Sequence, residues 1–518
     1  MFKRRVKPLL KVLLALLGRG LALLLIERLR GQFGLARYKR ELAANGETLE
    51  IQKLLAPPIA DVDNGAPELL RLKPLFKEGK VIPKSFPPKM RLMTSGRAVV
   101  GFREDSWTED NSTNTWEEVA LDLAANQPTL EQLRVALAKP AFDFKLDHSR
   151  SFEMDFTHIA PVKSYCQWLG ATVQHSLRKG ENQVALEDLV AAAGIPRVLE
   201  NDRIMISELV RDAISAINLG TTWEALQAGG WTDEQLTRLQ AAWERNTFAT
   251  NMVRSLRVER ADGDTYFERF RISNDETYKH MFPTWLQGLI QAEDAEASPW
   301  WQSEFLRKQI YCRVWRFAWL HQDETFYLEG LQKLIEDQST GAEKAAGSVE
   351  EYWFGLGKAP RQNFYDGWRF GMSAQEFGAL SRATVKSARA ETDRSMVLCA
   401  IALKRYLLRH GEPAPNLNAL VPDFLAVVPV DCMDGQPLRY RRLEESQFTL
   451  YSVGDDGHDD GGDAFLKPEA KLMRDPWQRR DHVWPAVATA EEAAAWRRDA
   501  VDGNQSVASP QGGTEKHR

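Results

Sequence analysis

Residues 12–26 read VLLALLGRGLALLLI, an apolar run broken once, by Arg19, and it decides how the rest of the chain can be housed. A basic head with no acidic residue, MFKRRVKPLLK, precedes it. The run is short for a spanning helix, which needs about 20 residues. Counting from Pro8 to Leu29 reaches that length, with Lys11 and Arg28 able to extend toward the headgroups. On a membrane-insertion scale its Leu, Val and Ile residues contribute roughly -5 kcal/mol and the central Arg returns about +3. No small-x-small site follows, because IERLRGQFG is a poor cleavage context. The expectation is therefore an uncleaved, single-pass inner-membrane anchor, with head and helix over residues 1–30. Basic residues flank the run almost equally, and the short acid-free head favours an inside amino terminus. The bulk would then lie on the periplasmic side.

Residues 31–100 read as an amphipathic helix stopped by Pro57 and Pro58, then a Pro-rich linker. Residues 101–380 carry helical periodicity. DRIMISELVRDAISAINLG sets Ile204, Ile206, Leu209, Val210, Ile214 and Ile217 on one face, and Gly220 is expected to close the helix. WTDEQLTRLQAAWERN opens with Thr232 as N-cap and Gln235 three residues on, a capping box, followed by the apolar stripe Leu236, Leu239 and Trp243. SEFLRKQIYCRVWRFAWLHQDETFYLEGLQKLIED reads as one long aromatic helix. No internal repeat emerges. A hydrophobic content of 43% with 27% charged residues is that of a folded protein, and a net charge of -5 offers no nucleic-acid partner. The middle contains no HExxH, GxSxG, Walker or GxGxxG pattern, and His158, His175, His280 and His321 stand alone in sequence. Through ISELVRDAISAINLG and WEALQAGGWTDEQLTRLQ it resembles a set of uncharacterised membrane-anchored helical bacterial proteins, a resemblance that implies no activity.

From residue 383 to 485 the pattern changes to a small α+β module. A helix with Met396, Cys399, Ala400, Leu403 and Leu407 on one face ends at Gly411. Leu438 and Tyr440, then Phe448 and Leu450, alternate with polar residues as two strands of a hairpin turning at Glu444, Glu445 and Ser446. An acidic stretch, YSVGDDGHDDGGD, follows at 451–463. The glycines allow tight curvature, and calcium requires six to eight oxygens, so both a calcium site and a solvated turn fit these residues. An EF-hand does not, since a frame starting at Asp456 puts Lys467 at the twelfth position.

The order RHGEPAPNLNAL, VPVDCMDGQPLRY, LYSVGDDG resembles the globular domain of type II secretion major pseudopilins, over about 80 of the 518 residues. That resemblance implies a calcium loop, with Val453 offering its carbonyl and Asp456, Asp459, Asp460 and Asp463 their carboxylates. Two departures stand against it. Cys432-Met433-Asp434 replaces a Pro-Trp pair, and the amino terminus lacks the prepilin-peptidase pattern. Trp477 and Trp484 are expected to pack back on the module, and residues 486–518 to form a disordered tail. Cys166, Cys312, Cys399 and Cys432 show no metal-ligand spacing; free thiols and a Cys399–Cys432 bridge both fit.

The expected fold class is mainly α: an N-terminal membrane helix, a large irregular helical domain and the α+β module. The expected function is that of a non-enzymatic envelope protein that meets protein partners through the pseudopilin-like module, near a secretion apparatus. The alternatives are a hydrolase without a local motif and a cytoplasmic helical scaffold.

Overall fold

A computed structural model describes residues 2–84, 90–92, 96–109, 112–282, 303–339, 364–443, 448–465, 467 and 476–494. The protein is mainly helical. Helix α1 spans Phe2–Ala44 without a break; short α2 (Ile51–Leu54) and α3 (Ala66–Leu72) follow. The body comprises α4 (Trp116–Leu137), α5 (Ile159–Lys179), α6 (Asn182–Gly194), α7 (Met205–Leu226), α8 (Asp233–Glu244), α9 (Ala249–Ile272) and α10 (Asn274–Met281). Two π-helical turns, Leu306–Tyr311 and Trp315–Trp319, lead into α11 (Leu320–Ser339), and α12 (Phe364–Arg369) and α13 (Ser373–His410) complete the helices.

Strands are few and short. β1 (Arg91–Leu92) and β2 (Arg97–Val99) pair antiparallel, β3 (Trp107–Glu109) pairs with β4 (Ser112–Asn114), and β5 (Arg439–Arg442) with β6 (Phe448–Ser452). β7 (His482–Val483) adds antiparallel to β6, and β8 (Ala486–Val487) runs parallel to β2. The expected tail thus starts later than 486: Ala488 also donates its N–H to the Ala98 carbonyl at 2.9 Å. Residues 495–518 and the expected turn at Glu444, Glu445 and Ser446 lie outside the described residues.

Two hydrophobic cores share one helix. The first joins α3–α8 to Met396–Leu403 of α13 and to Leu438, Leu450 and Trp484. The second joins Leu35 of α1, α9, α10 and α11 to Met372 and the stretch Phe377–Ala388 of α13, and reaches Met433, Val453 and Trp477. At 38 residues α13 is about 57 Å long, enough to serve both. The domain boundary expected near residue 380 falls inside this helix.

Local signals in the sequence predict two helix ends correctly, at Thr232 and Gly411, whereas the helix expected to run to Pro57 and Pro58 ends at Ala44. Thr232 accepts the Gln235 N–H at 3.2 Å while Gln235 accepts the Thr232 N–H at 3.0 Å, and Leu236, Leu239 and Trp243 are fully buried. Gly411 ends α13 in the left-handed conformation. Gly220 does not end α7, which continues to Leu226. The turn beyond Gly220 is itself core: Thr221, Thr222 and Trp223 are all buried, and the Trp223 indole donates to the Pro485 carbonyl at 2.9 Å. Ile206 is exposed, because the buried side of that turn is given to Ser207, Glu208, Arg211 and Asp212.

The membrane expectation is overturned. Among the described residues no helix is long and apolar enough to cross a membrane. The run from Val12 to Ile26 covers about 22 Å of helix against a hydrocarbon core of about 30 Å. Beyond it α1 is held by protein. Gln322 donates to the Glu27 carbonyl at 2.8 Å, and the Lys39 ammonium lies 2.9 Å from buried Glu324 and 2.5 Å from Asp264. Gly31 permits the approach: a Cβ there would stand 3.0 Å from Gln322 Cγ and 3.1 Å from His321 Cβ.

Candidate functional site

The acidic stretch folds as a corner between the two cores, organised by aspartates that its composition does not single out. Asp431, fully buried, accepts the N–H groups of Met433 and Val453 at 3.0 Å each, the Ser452 hydroxyl at 2.9 Å and an Arg439 N–H at 3.1 Å. Asp481, also buried, accepts the N–H groups of Gly462 at 2.7 Å, Asp463 at 3.1 Å and Asp460 at 3.4 Å. Burial pushes its carboxyl up to about 6 against the stabilising pull of those three donors. Asp455 receives two bonds from Arg389, one at 2.9 Å. Gly454, at φ +70°, makes the sharp exit from β6; a Cβ there would meet the Arg480 carbonyl at 3.1 Å.

The five residues expected around calcium do not point to a common centre. Val453 is buried in the second core and donates its N–H to Asp431. Asp456 accepts the His458 N–H at 3.0 Å and lies 2.9 Å from the Lys467 ammonium. Asp459 accepts the Tyr451 hydroxyl at 3.1 Å and the Gly461 N–H at 2.9 Å, with Arg439 at 3.7 Å. Asp463 accepts the Phe465 N–H at 2.9 Å and pairs with Arg480 at 3.0 Å. Asp460 uses its N–H on Asp481, and its side chain is exposed. Three cations of the chain itself, Lys467, Arg439 and Arg480, thus supply the positive charge that a bound ion would bring. Among the described residues no group of three or more His, Cys, Asp or Glu is arranged to hold a metal.

Beneath the corner lies a buried histidine–aspartate pair. The His482 ring nitrogen Nε2 is 2.7 Å from Asp393 on α13, and the ring stacks on Trp477 with centroids 4.0 Å apart. The tie is one of several that close the corner onto α13, together with Arg389–Asp455 and the Cys432 N–H on the Thr392 hydroxyl at 3.2 Å. All four cysteines are free thiols, so no Cys399–Cys432 bridge forms. Burial pushes the Cys432 thiol up to about 12, which leaves it protonated and a poor nucleophile.

A second such pair lies elsewhere, where the sequence shows only isolated histidines. His158, the residue preceding α5, has Nε2 2.8 Å from Asp202, and Asp202 also accepts the Ser207 hydroxyl at 2.6 Å. All three side chains are buried. The partners are 44 residues apart, a separation at which no spacing rule operates. No protein-family model matches the chain, and no curated protein or solved structure matches it.

Proposed function

We propose that the protein is a non-enzymatic contact protein that self-associates through the exposed half of α1, with its C-terminal corner serving as a pseudopilin-like surface for protein partners. The observation that carries this reading is a bare apolar helix. Val12, Leu14, Leu16, Leu17, Leu21, Leu23, Leu25, Ile26, Leu29 and Phe33 are between 44% and 74% exposed. Soluble chains rarely leave so much contiguous apolar surface open to water.

The occupant follows from a stripe that continues past the contact already made. Gly31, Leu35, Tyr38 and Leu42 recur at alternating steps of four and three and face α11, where Leu35 and Leu42 are buried and the Tyr38 hydroxyl reaches the Leu328 carbonyl at 3.4 Å. The same steps run backward through Arg28, which packs on Phe317, and then through Leu24, Leu21, Leu17 and Leu14. That is the heptad seam of a coiled coil, and Arg19 falls on the side opposite it. A second copy of the chain supplies a matching seam, so the two exposed halves zip together.

Sedimentation equilibrium of the full chain tests this. The wild type is expected to associate, and Leu17→Glu with Leu21→Glu to weaken association at least about 100-fold while far-ultraviolet circular dichroism is unchanged, since each buried Leu is worth roughly 1.5–3 kcal/mol. A monomeric wild type, or a double variant that still associates, would overturn the reading. So would wild-type chains that remain monomeric and float with lipid vesicles.

A further inference from the structure

The His158–Asp202 pair borders a cavity of about 260 Å³ just before α5. Its walls divide by chemistry. Leu70, Phe144 and Met154 give an apolar side, and Lys145, Arg150 and His158 give polar groups of positive or ionisable character, the exposed Lys145 ammonium also lying 3.3 Å from Asp61. Asp147 and Asp155 also line it, but each is engaged in a local turn. Asp147 accepts the Ser149 hydroxyl at 2.6 Å and N–H at 3.1 Å, and Asp155 accepts the Thr157 N–H at 2.9 Å. Those bonds hold both carboxyls below their usual range.

The imidazole is fixed twice, by Asp202 on one nitrogen and by the Phe144 ring at 4.4 Å. Asp202 in turn is oriented by Ser207. Such a chain sets the tautomer and direction of a histidine that meets a ligand. The backbone around it is strained in a way the rest is not. Lys145 at φ +54° and Arg203 at φ +52° are the two non-glycine residues in the left-handed region among those described. One lines the cavity and the other directly follows Asp202. Each such conformation costs of order 1 kcal/mol, and local strain of this kind gathers at ligand sites.

We propose that this cavity binds a small organic acid: an anionic head on Lys145 and Arg150, hydrogen-bonded by His158, and a short apolar body against Leu70, Phe144 and Met154. The volume suits a body about the size of one aromatic ring. Carboxylate and phosphate heads share the chemistry, and the test separates them.

Full-length protein is titrated by calorimetry with benzoate, phenyl phosphate and, as a neutral match, benzyl alcohol. One or both acids are expected to bind with a dissociation constant on the order of 1 mM, and benzyl alcohol at least about tenfold more weakly. Lys145→Ala with Arg150→Ala changes two exposed side chains and leaves the fold in place; it should weaken acid binding at least about tenfold without altering benzyl alcohol. His158→Gln, checked for unchanged circular dichroism, should weaken the acids further than the alcohol. The proposal falls if neither acid binds at 10 mM, about ten times the expected constant, if the alcohol binds as tightly, or if the double variant binds unchanged.

Discussion

His482–Asp393 and His158–Asp202 are nearly identical pairs, 2.7 and 2.8 Å long, both buried, and they serve different ends. The first is closed under Trp477 inside a corner where Asp431, Asp455, Asp456, Asp459, Asp463 and Asp481 meet the chain's own donors or cations, and its second ring nitrogen is buried. The second stands on the wall of a cavity that Lys145, Arg150, Asp147 and Asp155 also line. The pair itself therefore carries no functional meaning. What the outer side of the ring meets decides whether it is a rivet or part of a site.

The largest expected effect breaks the comparison directly. His482→Ala removes a stacked ring and leaves Asp393 without that partner in the interior, so it should cost about 3 kcal/mol in urea unfolding. His158→Ala opens onto an existing cavity that water can enter, so it should cost about 1 kcal/mol. Equal losses, or the reverse order, would show that the two pairs are structurally equivalent.

A smaller effect concerns pH. The Asp481 carboxyl in the corner is raised to about 6 by burial, so the folded state holds a proton that the unfolded chain has already released. Its contribution is present below the ordinary carboxylate range and is lost as pH rises through about 6. Amide exchange at Gly462 and Asp463 should accordingly quicken relative to the intrinsic rate between pH 4 and 6, as titration through a raised carboxyl requires. Asp481→Asn should flatten that profile, and the cavity around His158 should not share it.

The smallest effect is calcium. Because Lys467, Arg439 and Arg480 already lie against Asp456, Asp459 and Asp463, an ion must displace them before it binds. Melting the full chain in millimolar calcium and in chelator should give midpoints within about 2 °C. A larger shift, abolished by Asp456→Ala with Asp460→Ala, would turn the closed corner into an ion site and sharpen its contrast with the cavity.

Much of this was legible in the chain, and the division follows distance. The capping box at Thr232 and Gln235 and the glycine stop at Gly411 depend on bonds set within a few residues, so their residue types are sufficient; the alternation expected in β6 gives way to a buried run, Leu450, Tyr451 and Ser452. The stripe expected on α13 is not a distinct face: Met396, Cys399, Ala400 and Leu403 are buried, but so are Val397, Leu398, Ile401 and Ala402, while Leu407 is half-buried. Reading failed where a residue's surroundings come from far along the chain. Gly220 looked like a helix end because nothing nearby says that Trp223 docks on Pro485, 262 residues away. The calcium expectation for Asp456, Asp459, Asp460 and Asp463 leaves out the cations beside three of them, which a run of like charge does not show. Arg439 comes from β5 and Arg480 from the segment leading into β7.

By itself the sequence determined the mainly helical character, the cap at Thr232 and Gln235 and the stop at Gly411, since each is set by hydrogen bonds and side-chain periodicity that close over three or four residues. Only the tertiary structure decided that α1 packs through Lys39 and Glu324 against α11, that Asp431 and Asp481 rather than the loop's own acids organise the corner, and that His158 meets Asp202 beside a cavity. Those outcomes rest on burial, which changes the strength of charge interactions and the cost of an unmade hydrogen bond, and burial is a property of how distant segments come together.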